Sequence, residues 1–282
     1  MNEKIQKIDS HHHLWVVNDT DYPWMGPELG RIRRDFLHSD LEAVLDASGM
    51  DGSVAVQARQ MVVETDWLLE IAEASTRIRG VVGWVPLCEA DCAAVLDQYA
   101  SRRLLVGVRH VVHDEPDDDF ILREDFNRGI SLLENYGLAY DLLIFWKHLG
   151  QTIRFVDRHP GQVFVLDHLA KPRIAREAFD AEWAAGIREL ARRGNVSCKI
   201  SGVLTEVRGD TWDMELLKPY LDTVYEAFGP ERVMFGSDWP VCLLRESHAG
   251  WARLVGEWAA PLSPDEKAAL WGGNATRIYG LE

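Results

Sequence analysis

Cysteine is scarce in this chain: Cys88, Cys92, Cys198 and Cys242 are the only four in 282 residues. Their spacing contains no C-x-x-C pair, and they are too few to staple a fold of this size. Positive charge is also short, with 30 Lys and Arg against 45 Asp and Glu and a formal net charge of −15. Such a chain repels phosphate backbones and anionic lipid, so neither nucleic acid nor a membrane surface is an expected partner. No uninterrupted apolar run approaches the roughly 18 residues of a membrane span. The opening Met-Asn-Glu-Lys-Ile-Gln-Lys-Ile has no apolar core of a secretory signal. The reading is a cytoplasmic protein with reduced cysteines. No G-x-G-x-x-G follows the first apolar run and no G-x-x-x-x-G-K-[ST] occurs, so nucleotide binding on a doubly wound sheet has no motif behind it. No low-complexity or Pro/Gly/Ser-rich linker divides residues 1–282, which reads as one domain.

What the chain does have is repetition. Short apolar runs occur at Lys4–His11, Gly52–Ala58, Gly80–Pro86, Leu105–Val111, Leu138–Leu143, Val163–Asp167, Val196–Ile200 and Val233–Gly236. They are nearly continuous in apolar character, as parallel strands buried on both faces are. Helical patterns fill the gaps: Asp40–Ser48, with Asp40 as N-cap and Gly49 as stop, then Glu64–Ile78, Ala90–Arg102, Arg123–Tyr136, His148–Arg158, Glu177–Arg193, Met214–Phe228 and Ser247–Ala260. A last helix starts over Pro264–Leu270 and ends near Gly272 and Gly273. Polar residues collect at the C-terminal ends of the strands, which favours a (β/α)8 TIM barrel over an open sheet, because a barrel gathers those ends around one mouth. The expected architecture is that barrel with a short extra C-terminal helix. The longest irregular stretch, about Val16–Leu37, holds Tyr22, Pro23 and Trp24 and reads as an ordered flap over the mouth.

The chemistry lies at three strand ends. In Asp9-Ser10-His11-His12-His13, alternation puts His11 and His13 on one face and His12 on the other. Two imidazoles together make half of a metal site, and imidazole suits zinc. Val163–Leu166 runs into Asp167-His168, and Val233–Gly236 runs into Ser237-Asp238-Trp239-Pro240. Closing the barrel brings the last strand beside the first, so Asp238 comes near His11 and His13. A carboxylate there can ligate a metal or take a proton from an attacking water. Arg109, Gln57 and Arg59 sit where strands meet the mouth and are candidates for substrate contacts. Trp24 and Trp84, with Trp146 and Trp239, are candidates for pocket lining. Lys171, before a proline, reads as packing or capping; Lys199 can point into the barrel and is left out of the catalytic set.

These motifs carry a family likeness. Asp-Ser-His-x-His-x-Trp at residues 9–15, Val-Leu-Asp-His-Leu-x-Lys-Pro at 165–172 and Phe-Gly-Ser-Asp-Trp-Pro at 235–240 together resemble the amidohydrolase superfamily. Tyr-Pro-Trp at 22–24, Val-Gln-Ala at 56–58 and Gly-Val-Arg-His at 107–110 resemble its amidohydrolase-2 branch, and there the sugar lactonases of the L-fuconolactonase and L-rhamnonolactonase type. The resemblance implies a lactone-hydrolysing enzyme with a small-molecule lactone as substrate. It implies Asp238 as the residue that activates water, His168 beside it, and His11, His13, His168 and Asp238 around one divalent metal, with zinc first by ligand type. The chain departs from the fuller ligand set: strand four offers Arg109-His110 where a Lys is common, and strand five has no His. Relatives in this branch also hydrolyse lactones without an essential metal, so a metal-free site, with Asp238 as base and Arg109 or the histidines facing the carbonyl oxygen, stands beside the metal reading. The rival substrates are a carboxylated, aromatic-derived lactone of the muconolactone or pyrone type, for which Arg59, Arg109 and Arg123 are available, and a substrate of a metal-dependent decarboxylase on the same scaffold.

Overall fold

The structure, a computed structural model, describes residues 6–282. Eight parallel strands follow one another around a sheet in chain order. They are β1 Ile8–His12, β2 Gly52–Val56, β3 Ile78–Gly83, β4 Leu105–His110, β5 Ala139–Leu142, β6 Phe164–Leu166, β7 Val196–Ile200 and β8 Val233–Phe235. The helices that return the chain are α1 His38–Ser48, α2 Val62–Ala74, α3 Cys92–Tyr99, α4 Glu124–Leu133, α5 Leu149–Arg158, α6 Ala181–Leu190, α7 Met214–Phe228 and α8 His248–Trp258. This is the expected (β/α)8 barrel. Lys4 and Ile5 of the expected first strand lie outside the described residues. Among the described residues no helix is long and apolar enough to cross a membrane.

Two apolar layers hold the barrel. Val54, Val82, Val106, Ala139, Val165 and Met234 fill its interior from six different strands. The alternate strand residues pack outward against the helices, as Val196, Cys198 and Ile200 do on β7. The C-terminal segment plugs the lower end. It differs from the single helix expected there: α9, Pro264–Ala268, gives way to a wide turn over Ala269–Gly273, and α10, Asn274–Tyr279, follows. The turn is forced by close approach, since a Cβ on Gly272 would stand 2.0 Å from the carbonyl oxygen of Gln6. Ala275, Tyr279 and Leu281 then join the interior cluster.

One cap differs from expectation. The N-cap of α1 is Leu37, and Asp40 is the third residue of the helix, where its carboxylate accepts the Leu37 N–H at 2.9 Å. An acid reaching back to the cap N–H satisfies a helix-end donor as well as an N-cap side chain does. Gly49 stops the helix as expected, with φ 66.

Closure between β1 and β8 is made largely outside the regular ladder. Asp238 N–H donates to His11 O at 2.8 Å and His13 N–H to Trp239 O at 2.7 Å. Beneath them the buried Asp9 carboxylate accepts from Ser237 N–H at 2.8 Å, Ser237 Oγ at 2.6 Å and His11 N–H at 3.1 Å, and lies 3.0 Å from His248 Nε2. Register slips between Asp9 and His12, where β1 meets β2. That irregularity lets Asp9 face the β8 side while Ile8 packs in the interior and His11 meets the interior charges below. Asp9→Ala removes the acceptor from four donors in a buried place. The expected loss is about 3–5 kcal/mol of unfolding free energy, the usual effect of breaking a buried charged network. A denaturant titration checks it, and a midpoint equal to wild type would contradict the role given to Asp9.

Candidate active site

His11, His13, His168 and Asp238 converge at the mouth. His11 Nε2 lies 3.2 Å from His13 Nε2, and Asp238 Oδ1 lies 3.3 Å from His13 Nε2, 3.7 Å from His11 Nε2 and 3.8 Å from His168 Nε2. All four residues are buried, yet His13, His168 and Asp238 line a cavity of about 410 Å³, a size that suits a small ligand. The backbone works to put two of them there. His168, Leu169, Ala170 and Lys171 form a left-handed turn with φ of 52, 55, 57 and 50, and Asp238 has φ 58. None is glycine, so each residue costs of the order of 1 kcal/mol, and strain of this kind gathers at functional sites. Gly202, at φ 59, makes the room: a Cβ on it would stand 2.6 Å from His168 Nδ1 and 3.1 Å from Asp238 Oδ2.

Hydrogen-bond partners decide which ring nitrogens carry protons. His13 Nδ1 is 2.8 Å from Val56 O. A carbonyl only accepts, so Nδ1–H donates and the His13 Nε2 lone pair faces the site. Arg109 Nη1, which only donates, lies 3.3 Å from His11 Nε2. On the other side of the ring, His11 Nδ1 lies 3.2 Å from Asp167 Oδ1 and 3.3 Å from Lys199 Nζ. His168 Nδ1 is paired with Ser201 Oγ at 2.9 Å. Burial pushes the His168 imidazole down to about 4, so it is neutral at neutral pH. Burial works against ionised Asp238, but His168, His13 and His11 outweigh it and hold the carboxyl below the usual range. The Asp238 carboxylate and the Nε2 atoms of His11 and His13 thus crowd within 3.2–3.7 Å of one another.

That arrangement fits a cation. His11, His168 and Asp238 each place a ligand atom within 4.8 Å of the others. The 3.2 and 3.3 Å separations that add His13 are those of neighbouring ligands around one ion with bonds of about 2.0–2.1 Å. Asp167 behind His11 is the carboxylate that commonly orients a ligating imidazole. Against this, Arg109 Nη1 stands 3.3 Å from His11 Nε2 and Lys199 Nζ 3.3 Å from His11 Nδ1, two positive charges beside one ligand.

Below the site lies a charge network that local sequence pattern only partly signals. Lys199 Nζ, fully buried, is 2.5 Å from Asp141 Oδ2 and 3.1 Å from Asp167 Oδ1, and Tyr279 Oη donates to Asp141 at 2.8 Å. Alternation along β7 signals that Ser197 and Lys199 face inward; the partner Asp141, 58 residues away, has no local signature.

The other sequence candidates divide. Arg109, Arg59 and Trp24 line the cavity, and so does Lys171. Gln57 and Trp84 do not. Gln57 is buried behind the wall, where its Nε2 donates to Arg109 O at 3.3 Å and Arg109 Nη2 donates to Gln57 O. Trp84 Nε1 donates to His110 Nδ1 at 3.3 Å. Trp146 is covered by the Arg173 guanidinium at 3.7 Å, and Trp239 packs against Phe36; neither lines the cavity. The flap contributes Asp21, Pro23 and Trp24 to the wall. Its ends are pinned by reciprocal backbone hydrogen bonds between Trp15 and Phe36, both 3.0 Å, and Asp21 pairs with Arg59 across the mouth. Sequence reading misses Gln60, His113 and Asp114, which also line the cavity. His113 and Asp114 sit in a single short turn after β4, too short to carry any periodicity.

Comparison with known proteins places the chain in a family. The sequence profile of the family described as amidohydrolase matches residues 8–281, and the chain belongs to that family. It is 42% identical over 285 residues to an L-fucono-1,5-lactonase of Burkholderia multivorans, covering 98% of this chain and 96% of that one. It is 36% identical to an L-fucono-1,5-lactonase of Burkholderia ambifaria, with 98% and 96% covered. A crystal structure of a Burkholderia multivorans amidohydrolase with bound zinc superposes with a TM-score of 0.94 at 42% identity, covering 98% of this chain and all of the other.

Two outcomes follow from the site. Gly202→Ala is expected to displace His168 and Asp238 and lower turnover by at least about tenfold, as misplaced reacting groups do, with the fold retained in circular dichroism; wild-type turnover would contradict the packing argument. Zinc content is expected to be below one per chain after dialysis against a chelator and to be restored by added zinc, because Arg109 and Lys199 oppose a dication at His11. Full zinc content surviving the chelator would show that the imidazoles outweigh those charges.

Proposed function

We propose that the chain hydrolyses a sugar-derived lactone, opening the ring of an aldonolactone to the hydroxy acid with water activated at Asp238. The observation that carries this reading is the ionised, buried Asp238 carboxylate at the end of β8, within 3.3–3.8 Å of three imidazole nitrogens and open to the cavity. The lactonase names of the two Burkholderia relatives support the substrate class. A water between Asp238 and the lactone carbonyl gives its proton to Asp238 while its oxygen adds to the carbonyl carbon. The oxyanion so formed needs donors already in place, and Arg109, on the cavity wall and held by Asp167, is one. The ring C–O bond then breaks, and Asp238 returns its proton to the departing ring oxygen. His13, fixed by Val56 O, and His168, fixed by Ser201, hold the carboxylate in its strained position.

His11, His13, His168 and Asp238 are the residues that would hold a divalent ion, zinc first among them. Bound there, it would polarise the lactone carbonyl and lower the pKa of water. Trp24, partly exposed on the flap, and Trp15 give the cavity an apolar side suited to the C–H face of a sugar ring.

The test is hydrolysis of an aldonolactone panel that includes L-fucono-1,5-lactone, followed by proton release. Asp238→Asn keeps the shape and removes the base, so kcat is expected to fall by roughly 10²–10⁴ with melting temperature little changed. His168→Asn should slow turnover less. A folded Asp238→Asn enzyme with near wild-type kcat, or a panel with no substrate at all, would sink the reading.

A further inference from the structure

The cavity wall carries three permanent cations, Arg59, Arg109 and Lys171, and each already has a carboxylate. Arg109 Nη1 lies 3.0 Å from Asp167 Oδ2. Arg59 pairs with Asp21 of the flap and lies 4.0 Å from Glu64 Oε1. Lys171 Nζ lies 3.0 Å from Glu206 Oε1. Asp114 and Asp238 add two more carboxylates to the wall, which with Asp21 carries three acids beside its three bases, and Asp167 and Glu206 stand behind it on Arg109 and Lys171. A neutral, hydroxylated ring meets donors and acceptors here without cost. A carboxylate would have to take a cation from its partner or sit in a negative field.

We propose that Glu206 and Asp21 are specificity-determining residues: by holding Lys171 and Arg59 they restrict the cavity to uncharged lactones and drive out the acid that hydrolysis makes. The proposal rests on the lactonase reading. Ring opening adds water to a neutral ester and yields a carboxylate and a proton. The negative charge therefore appears only in the product, inside a wall with no spare cation, and release is favoured over retention. The same logic tells against a carboxylated lactone as substrate. Glu206 stands in the short turn Leu204–Glu206 behind the wall, so changing it alters the charge on Lys171's partner and leaves the cavity shape alone.

Glu206→Gln and Glu206→Ala test this at matched metal content. Calorimetric titration with citrate and with an aldonate reads carboxylate binding directly, without turnover. Wild type is expected to bind both weakly, and both variants about tenfold or more tightly at low salt, with the gap narrowing as salt is raised. Inhibition of lactone hydrolysis by the aldonate should strengthen in parallel, while initial rates on the neutral lactone stay close to wild type. Asp21→Asn should move carboxylate binding in the same direction through Arg59. If the folded variants bind the acids no more tightly than wild type, masking is overturned, whatever the lactonase assays show. If the variants gain the acids but no aldonolactone is hydrolysed, the proposed function falls and the masking stands.

Discussion

The buried carboxylate of Asp9 is the constraint on which the site depends. A parallel barrel must join its first and last strands, and here β8 is only three residues long. Asp9 collects Ser237 by backbone and side chain, the His11 amide, and His248 from the start of α8. The Ser237 and His248 bonds tie pieces of the last βα unit to β1, and the His11 bond braces β1 itself. Two residues above on one strand and one above on the other, His11 and Asp238 are then joined backbone to backbone at 2.8 Å. The charge that closes the barrel and the charge at the candidate site are therefore separate groups held in fixed register. Asp9 is saturated with donors, whereas Asp238 keeps an oxygen at the cavity.

The barrel interior changes character along its axis. At the lower end it is apolar, filled by valines and closed by Ala275 and Leu281. Higher up it holds Lys199, Asp141, Asp167 and Arg109, two cations and two carboxylates within 2.5–3.1 Å of their partners. Buried charges of this kind are tolerable only when mutually satisfied, and they leave His11 neutral between charges of both signs. Burial lowers His11 strongly and Lys199 reinforces that, while Asp167 opposes it. The network thus fixes a neutral imidazole next to Asp238.

Much of this was readable in the chain. β7 at Val196–Ile200 and α7 at Met214–Phe228 coincide with their apolar patterns. His11, His13, His168 and Asp238 stand out because polar side chains interrupt apolar strands at their ends. Other features depend on partners far away in sequence. α6 begins at Ala181, four residues after the pattern starts, because Asp180 caps it through Trp183 N–H while also binding Arg173. Gln57 and Trp84 have the same strand-end signature as Arg59, yet face other elements, since a local period cannot tell which polar residue at a mouth meets the cavity. His113 and Asp114 enter the wall from an irregular turn, where no period exists.

In the proposed hydrolysis water attacks the carbonyl carbon of a cyclic ester, and isotopic labelling tests that step directly. A single turnover of an accepted aldonolactone in water enriched in oxygen-18 should place one labelled oxygen in the carboxylate of the product and none in the newly freed hydroxyl, as mass spectrometry of product fragments would show. Label in the hydroxyl, which requires cleavage on the alkyl side of the ring oxygen, would contradict a mechanism built on Asp238 and the carbonyl.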